Sequence, residues 1–155
     1  MRKLLGLLTH ALALGIGFAA GIYALPILVA PPPPEAGEVQ ALANKAQFTA
    51  RFRRDLEGSD ALHWGEGTVT VSADAITLQG RLAPGPDYKL YLSPEFVQTE
   101  AEFLKAKATM VRLGDVKTFD NFIVKVPPSV DPARYTTVVV WCETFKQFIT
   151  AAQYR

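Results

Sequence analysis

The stretch TTVVVWCETF, residues Thr136–Phe145, contains an unbroken apolar run that ends at the only cysteine of the 155-residue chain. The consecutive residues from Val138 to Trp141 would cover both faces of a strand, which is typical of the centre of a sheet. Cys142 falls on the same side as Val138 and Val140, directly before polar Glu143. The stretch therefore predicts a central strand whose cysteine lies where the core meets the rim.

Other segments alternate apolar and polar residues with a period of two, which indicates strands buried on one face. The pattern occurs in FTARF (48–52), GTVTVSAD (67–74), AITLQGRL (75–82), YKLYLS (88–93) and NFIVKVP (121–127). Turn residues separate these segments, and we expect Asp87 in one of them to cap its own turn. Short strands at such spacing predict an all-β fold, an antiparallel β-sandwich or barrel.

One segment departs from this pattern. SPEFVQTEAEFLKAKA, residues 93–108, has the composition of a helix, with Ser93 placed to cap its start and acidic residues in its early turns. Phe96, Phe103 and Leu104 would line one side of it. We therefore expect one short helix packed on the sheet.

The N-terminal segment has a different character. Residues 4–30 contain no Asp, Glu, Lys or Arg, and Arg2 and Lys3 precede them. This run exceeds the roughly 20 residues that cross a bilayer, and its basic start predicts a cytoplasmic N-terminus with the rest of the chain outside. A cleaved signal peptide is the alternative. The predicted organisation is a signal-anchor or transmembrane helix (1–30), a proline-rich linker and stalk (31–47) and a β domain (48–155).

The charge of the exported part excludes one class of partner. Residues 36–155 contain equal numbers of basic and acidic residues, so they lack the basic surface of a nucleic-acid-binding protein. Within the membrane segment, Gly17 and Gly21 have the spacing at which two membrane helices pack closely. The expected contacts are the membrane through residues 4–30, weak self-association through Gly17 and Gly21, and an unidentified protein of the cell envelope.

Several blocks of the sequence resemble the DM13 domain family. They are LHWGEGTVTV (62–71), PGPDYKLYLS (84–93), VRLGDVKTFDNFIVKVP (111–127) and VDPARYTTVVVWCETFKQFITAAQYR (130–155). The matching positions are His63, Gly67, Gly85, Pro86, Asp87, Tyr91, Leu92, Ser93, Leu113, Gly114, Asn121, Phe122, Pro127, Tyr135, Val138, Trp141, Cys142, Phe145, Ala151 and Ala152.

This resemblance implies a β domain at a cell surface or in the periplasm that takes part in electron transfer. It implies that Cys142 acts as a bare thiol or as a ligand to a prosthetic group such as haem. With the N-terminal segment, it predicts a single-pass protein of a bacterial-type inner (plasma) membrane with its C-terminal domain outside. Secretion after signal cleavage is the alternative.

The residues themselves leave two interpretations of Cys142 open. A free cysteine usually behaves as a small buried hydrophobe. An unpaired cysteine in an exported chain, however, also suggests a reactive thiol or an intermolecular bond. Lys146 and His63 are candidates to stabilise a thiolate, and Glu143 would oppose it.

Haem is the candidate cofactor, with Cys142 as a ligand and His63 or Met110 as its partner. The chain has no Cys-x-x-Cys-His motif, so covalent c-type attachment is excluded. The alternative for His63 is a side chain hydrogen-bonded at the start of a strand. No metal site is predicted, because His63 and His10 are the only histidines and His10 lies in the membrane segment.

The sequence therefore predicts a redox or electron-transfer-associated module in which Cys142 is the candidate redox residue. The alternative is a non-catalytic interaction domain of the cell envelope with a structural cysteine. No hydrolytic or nucleotide-dependent site is visible, since no catalytic triad can be assembled around His63.

Overall fold

The computed structural model describes residues 2–155. Its helices are α1 (Arg2–Val29), α2 (Ala36–Ala43) and α3 (Glu100–Ala106). Its strands are β1 (Phe48–Phe52), β2 (Gly65–Val71), β3 (Ala75–Leu82), β4 (Tyr88–Ser93), β5 (Val111–Val116), β6 (Asp120–Lys125), β7 (Thr137–Cys142) and β8 (Gln147–Gln153). Short 3-10 turns occupy Lys107–Thr109 and Pro132–Arg134.

The strands form two four-stranded antiparallel sheets, ordered β1-β2-β3-β6 and β5-β4-β7-β8. Side chains at alternate strand positions meet between the sheets in one apolar core. The predicted antiparallel β-sandwich is confirmed.

Strand β7 lies between β4 and β8, as its uninterrupted apolar run predicts. Val138, Val140 and Cys142 face the core between the sheets. Val139 and Trp141 face the outer side of the second sheet, where α3 covers them. Both faces of β7 are therefore buried, and the predicted side of Cys142 is confirmed.

Helix α3 begins later than the sequence predicts. Ser93 is the last residue of β4, and the helix is capped instead by Thr99, whose Oγ1 accepts a hydrogen bond from the Glu102 amide at 3.2 Å. Phe103 stacks on Trp141 with ring centroids 3.9 Å apart. Phe96 and Leu104 are exposed, so only Phe103 of the predicted apolar side packs on the sheet. Ser93 pairs with Thr137 of β7 and so belongs to β4, and the helix therefore starts later, with Thr99 as its N-cap.

Helix α2 lies within the segment predicted as linker and stalk. It contacts β3 and β6, and Val39 is fully buried there. Helix α2 ends at its C-cap, Asn44. The amide of Gln47 then donates to the Val71 carbonyl at 2.9 Å, directly before the pairing of β1 with β2 begins. Residues 36–47 therefore pack with the domain.

Helix α1 is long and apolar enough to cross a membrane, a property that a signal sequence shares. Pro26 is its only buried residue among those that the structure describes. A Cβ added at Gly17 or Gly21 would meet no atom within 4 Å, so this face of α1 is open. Near its C-terminal end, α1 lies against the loop that precedes β4.

Candidate functional site

Cys142 is the last residue of β7 and pairs with Tyr88 of β4 on one side and Gln147 of β8 on the other. Its side chain points into the core between the sheets and is 2% exposed. The thiol is thus fixed by the two strands that flank it.

A partly open cavity of about 430 Å³ lies beside Cys142. Tyr88 and His63 line it from the domain, and Tyr23 of α1 lines it from the opposite direction. Ligand pockets commonly measure about 300–1,000 Å³. We call this space the thiol cavity, and Cys142 is one of its lining residues although it is buried.

The thiol of Cys142 is held in its neutral form. Burial raises its pKa above the ordinary thiol value, and the Asp87 carboxylate adds to this effect. Backbone amides of Phe145, Asp87 and Thr144 lie near the sulfur and favour the thiolate, although they do not outweigh burial. Activated cysteines usually have a lowered pKa. The amides nevertheless give a developing thiolate hydrogen-bond donors, from the turn after β7 and from the loop before β4.

His63 reaches the same cavity from the segment just before β2. Its Nδ1 lies 2.8 Å from Oδ2 of Asp60, and Oδ1 of Asp60 accepts the His63 backbone N–H at 2.8 Å. The hydrogen bond with His63 is the main cause that holds the pKa of Asp60 below its usual range. An ionised carboxylate only accepts, so Nδ1 is the donor and Nε2 is the acceptor of the neutral ring. The hydrogen-bonded histidine predicted as the alternative is present.

Tyr88, which the sequence predicts as a core or cross-strand residue, is buried and also lines the cavity. It is 3% exposed, and its ring packs edge-on against Phe119 with centroids 6.0 Å apart. Its hydroxyl lies against Gly85, where any Cβ would collide with it. Burial raises the pKa of Tyr88, Cys142 and Tyr23 add to the shift, and no hydrogen bond contributes to it. Only the pairing of β4 with β7 brings Tyr88 next to the cysteine.

Glu143 follows Cys142 in sequence but lies on the other face of the second sheet. Its carboxylate accepts hydrogen bonds from Lys107 Nζ at 2.8 and 2.9 Å and from the Tyr91 hydroxyl. Burial raises the pKa of Glu143, but these donors outweigh it and hold that pKa below its usual range. Glu143 is therefore paired away from the sulfur, and it is Asp87 whose charge opposes the thiolate.

Met110 packs against the outer apolar cluster that contains Trp141. Cys142 belongs to the core on the opposite face of the same sheet. The proposed pairing of Cys142 with Met110 as haem ligands is therefore wrong. Alternation along the strand explains this outcome, because adjacent residues of β7 point to opposite faces.

The thiol cavity does not fit haem, although it brings Cys142 and His63 to one space. Haem carries two propionate carboxylates, and no Asp, Glu, Lys or Arg of residues 2–155 lines the cavity to pair with them. Burial also favours the protonated thiol, whereas a haem ligand is a thiolate. Across that same described range, no group of three His, Cys, Asp or Glu side chains is arranged to hold a metal ion.

The fold and the site define a β-sandwich module with one buried thiol beside an uncharged cavity and an apolar helix at its N-terminal side. The family model described as "Electron transfer DM13" matches residues 38–154. The chain belongs to the DM13 family, whose description associates it with electron transfer. No curated protein and no solved structure matches the chain.

Proposed function

We propose that this protein is a membrane-anchored, extracytoplasmic redox module in which Cys142 forms adducts with a redox partner. The observation that carries the proposal is that the only cysteine of a DM13 domain lines a partly open cavity. An isolated structural cysteine needs no such access.

The anchoring part of the proposal is supported by α1 and its flanking charges. Almost none of the most apolar part of α1 is buried in the protein, and Arg2 and Lys3 precede it. These features favour a single-pass helix in a bacterial-type plasma membrane with the domain outside. Mass spectrometry of the native N-terminus tests this: an intact chain supports an anchor, and loss of about 30 residues supports secretion.

The chemistry proposed for Cys142 is thiol–disulfide exchange. Its thiolate attacks one sulfur of a disulfide on the partner, a new S–S bond forms to Cys142, and the second sulfur of the partner leaves as a thiolate. The proton of the Cys142 thiol passes to solvent or to a base beforehand. His63 lines the same cavity and is the candidate base for that proton, since Asp60 holds its Nδ1 and leaves Nε2 to accept.

A second candidate function is supported by a different observation. Cys142 is 2% exposed and burial raises its pKa, which is typical of a structural cysteine. The domain would then serve as an interaction module for an envelope partner. Leu62 and Phe145, two exposed apolar residues at the cavity, are available for such a contact.

Thiol accessibility in the folded protein decides between the two. The full chain in detergent is treated with a small maleimide, with and without denaturant, and Cys142→Ala is the unlabelled control. The redox proposal expects labelling of the folded protein at a reduced but measurable rate. Labelling only after unfolding overturns it and supports the interaction module. Non-reducing trapping in cells then identifies adducts that are lost in Cys142→Ala.

A further inference from the structure

The thiol cavity has walls from two different parts of the chain. Ala19, Ile22 and Tyr23 of α1 line one side, and domain residues that include Tyr88 and Cys142 line the other. If α1 is a membrane helix, as proposed above, the cavity lies against the C-terminal half of that helix. A molecule dissolved in the membrane can then enter without crossing water.

The lining selects for an uncharged ligand. None of the cavity residues among positions 2–155 carries a carboxylate, ammonium or guanidinium group, and most of the wall is aliphatic, aromatic or proline. An anionic ligand would lose its hydration there without gaining a charged partner. Lipid headgroups that carry phosphate are therefore disfavoured, and neutral apolar molecules are favoured.

Two residues that line the cavity, Tyr88 and His63, carry polar groups that can hydrogen-bond to a ligand. Tyr88 lines the cavity with 3% of its surface exposed, and its hydroxyl is not one of the sealed, unpartnered side-chain atoms of residues 2–155. A ligand carbonyl in the cavity can therefore accept a hydrogen bond from it. His63 also lines the cavity, and because its Nδ1 is bonded to Asp60, Nε2 is the ring nitrogen left to accept from a ligand hydroxyl.

Together these features assign a ligand class. We infer that the thiol cavity binds a neutral, lipid-soluble quinone, with the Tyr88 hydroxyl donating to a ring carbonyl and His63 Nε2 placed to accept from the hydroxyl of the reduced form. The inference rests on the proposed membrane anchoring and on the association of the family with electron transfer. A quinone matches both the apolar wall and the pair of polar atoms.

Direct binding tests the inference. The full chain in lipid nanodiscs is titrated with a decyl-substituted benzoquinone whose ring is fully substituted, so that no ring carbon is open to thiol addition. Decylbenzene, which has the tail and ring without carbonyls, is titrated in parallel, and empty nanodiscs provide the background. We expect saturable binding of the quinone and at least fivefold weaker binding of decylbenzene. Equal affinities would overturn the inference, because the cavity would then bind any apolar molecule.

Two variants locate the site. Tyr88→Phe removes a hydroxyl that holds no other part of the fold, and we expect it to weaken quinone binding by about two- to tenfold, the value of one hydrogen bond. Ala19→Phe fills the cavity from α1 and should abolish binding, whereas Ala20→Phe, one residue along and outside the cavity, should not. Unchanged binding in Tyr88→Phe and Ala19→Phe would overturn the assignment.

The test separates this inference from the proposed thiol chemistry. Cys142→Ala is expected to bind quinone within twofold of the natural protein, because Tyr88 and His63 remain. Loss of quinone binding in every test with retained Cys142 adducts in cells would overturn the quinone site alone. Quinone binding with an unreactive Cys142 would overturn the thiol proposal and leave the quinone site in place.

Discussion

The free energies of unfolding of Cys142→Ser and Cys142→Ala show how strongly the position of Cys142 disfavours a polar group. In Cys142→Ser, a hydroxyl replaces the thiol at a position that is 2% exposed inside the apolar core. A buried hydroxyl without a full set of partners costs about 1–3 kcal/mol. In Cys142→Ala, loss of one buried group about the size of a methylene costs about 1 kcal/mol.

The structure predicts which of the two variants is the less stable. The space left by Cys142→Ala joins the existing thiol cavity, so the extra cost of a new closed void is small. Serine keeps nearly the same volume but introduces a polar atom. We therefore expect Cys142→Ser to be the less stable variant, by up to about 2 kcal/mol. The reason is that burying a hydroxyl whose hydrogen bonds to water are not fully replaced costs more than losing the volume of the thiol.

The assay is urea unfolding of the full chain in detergent, followed by tryptophan fluorescence. The midpoint should fall in both variants while the dependence on urea concentration stays constant, because the same surface is exposed on unfolding. A Cys142→Ser variant as stable as the natural protein would contradict this expectation. It would mean that water or the backbone amides of the turn satisfy the group at position 142.

Three further predictions concern the backbone, the thiol and the outer face. Gly67 has a φ of 126°, and any Cβ there would collide with the neighbouring strand. Gly67→Ala should therefore lower the free energy of unfolding in urea by at least about 2 kcal/mol. Gly114→Ala is the control, since its Cβ would meet its nearest atom at 3.4 Å, and it should cost less than about 1 kcal/mol. Burial raises the pKa of Cys142 above the ordinary thiol value of about 8.5, so its alkylation rate, measured in timed and quenched reactions, should still be rising with pH above that value. Glu143 has a lowered pKa in the fold, so the stability that it contributes is present above the ordinary pKa of a glutamate and is lost as pH falls through the lowered value. Lys107→Met removes the main hydrogen-bond donor to Glu143 and should make stability depend less on acid pH. Urea unfolding measured from pH 7 to pH 3 checks this.

Much of the fold follows from strand periodicity. Ile76, Leu78 and Leu82 alternate along β3 and all face the core, as their spacing predicts. Strands β5 and β8 were not predicted, since VRLGDV carries polar residues at both faces and QFITAAQ ends in small residues. Edge strands have only one partner, and both β5 and β8 lie at the edges of their sheet. Strand β5 is only partly buried, which explains its weak pattern, whereas β8 is buried from Phe148 to Ala152 and was missed because both of its faces are covered and it shows no alternation.

The site was predictable only where it depends on one strand. The direction of Cys142 follows from alternation along β7, but its neighbours come from pairing across the fold. Tyr88 lies opposite Cys142 through the β4–β7 register, and His63 arrives through the loop before β2. Asp87, expected to cap its own turn, instead lies 2.6 Å from Lys89 Nζ and accepts from Thr144 Oγ1 at 2.9 Å. Contacts between residues distant in sequence, such as Cys142 with Tyr88 and Asp87 with Thr144, leave no local signal in a single sequence.

The two proposals for the thiol cavity make one joint prediction. A quinone bound between α1 and Tyr88 would lie across the route by which a small reagent reaches Cys142. The rate of maleimide labelling should then fall with quinone concentration in proportion to the unoccupied fraction, to about a tenth when the ligand is at roughly ten times its dissociation constant. Decylbenzene at the same concentration should protect less.

The control for this protection is Ala19→Phe, in which the filled cavity should slow labelling without added ligand and leave no further effect of quinone. Labelling measured in the same nanodiscs keeps membrane partition equal between samples. If quinone binds with full occupancy and the rate does not change, the ligand and the sulfur do not share the cavity. In that case Cys142 is reached from the turn at Thr144 and Phe145, whose amides lie near the sulfur, and thiol exchange would take place on that side.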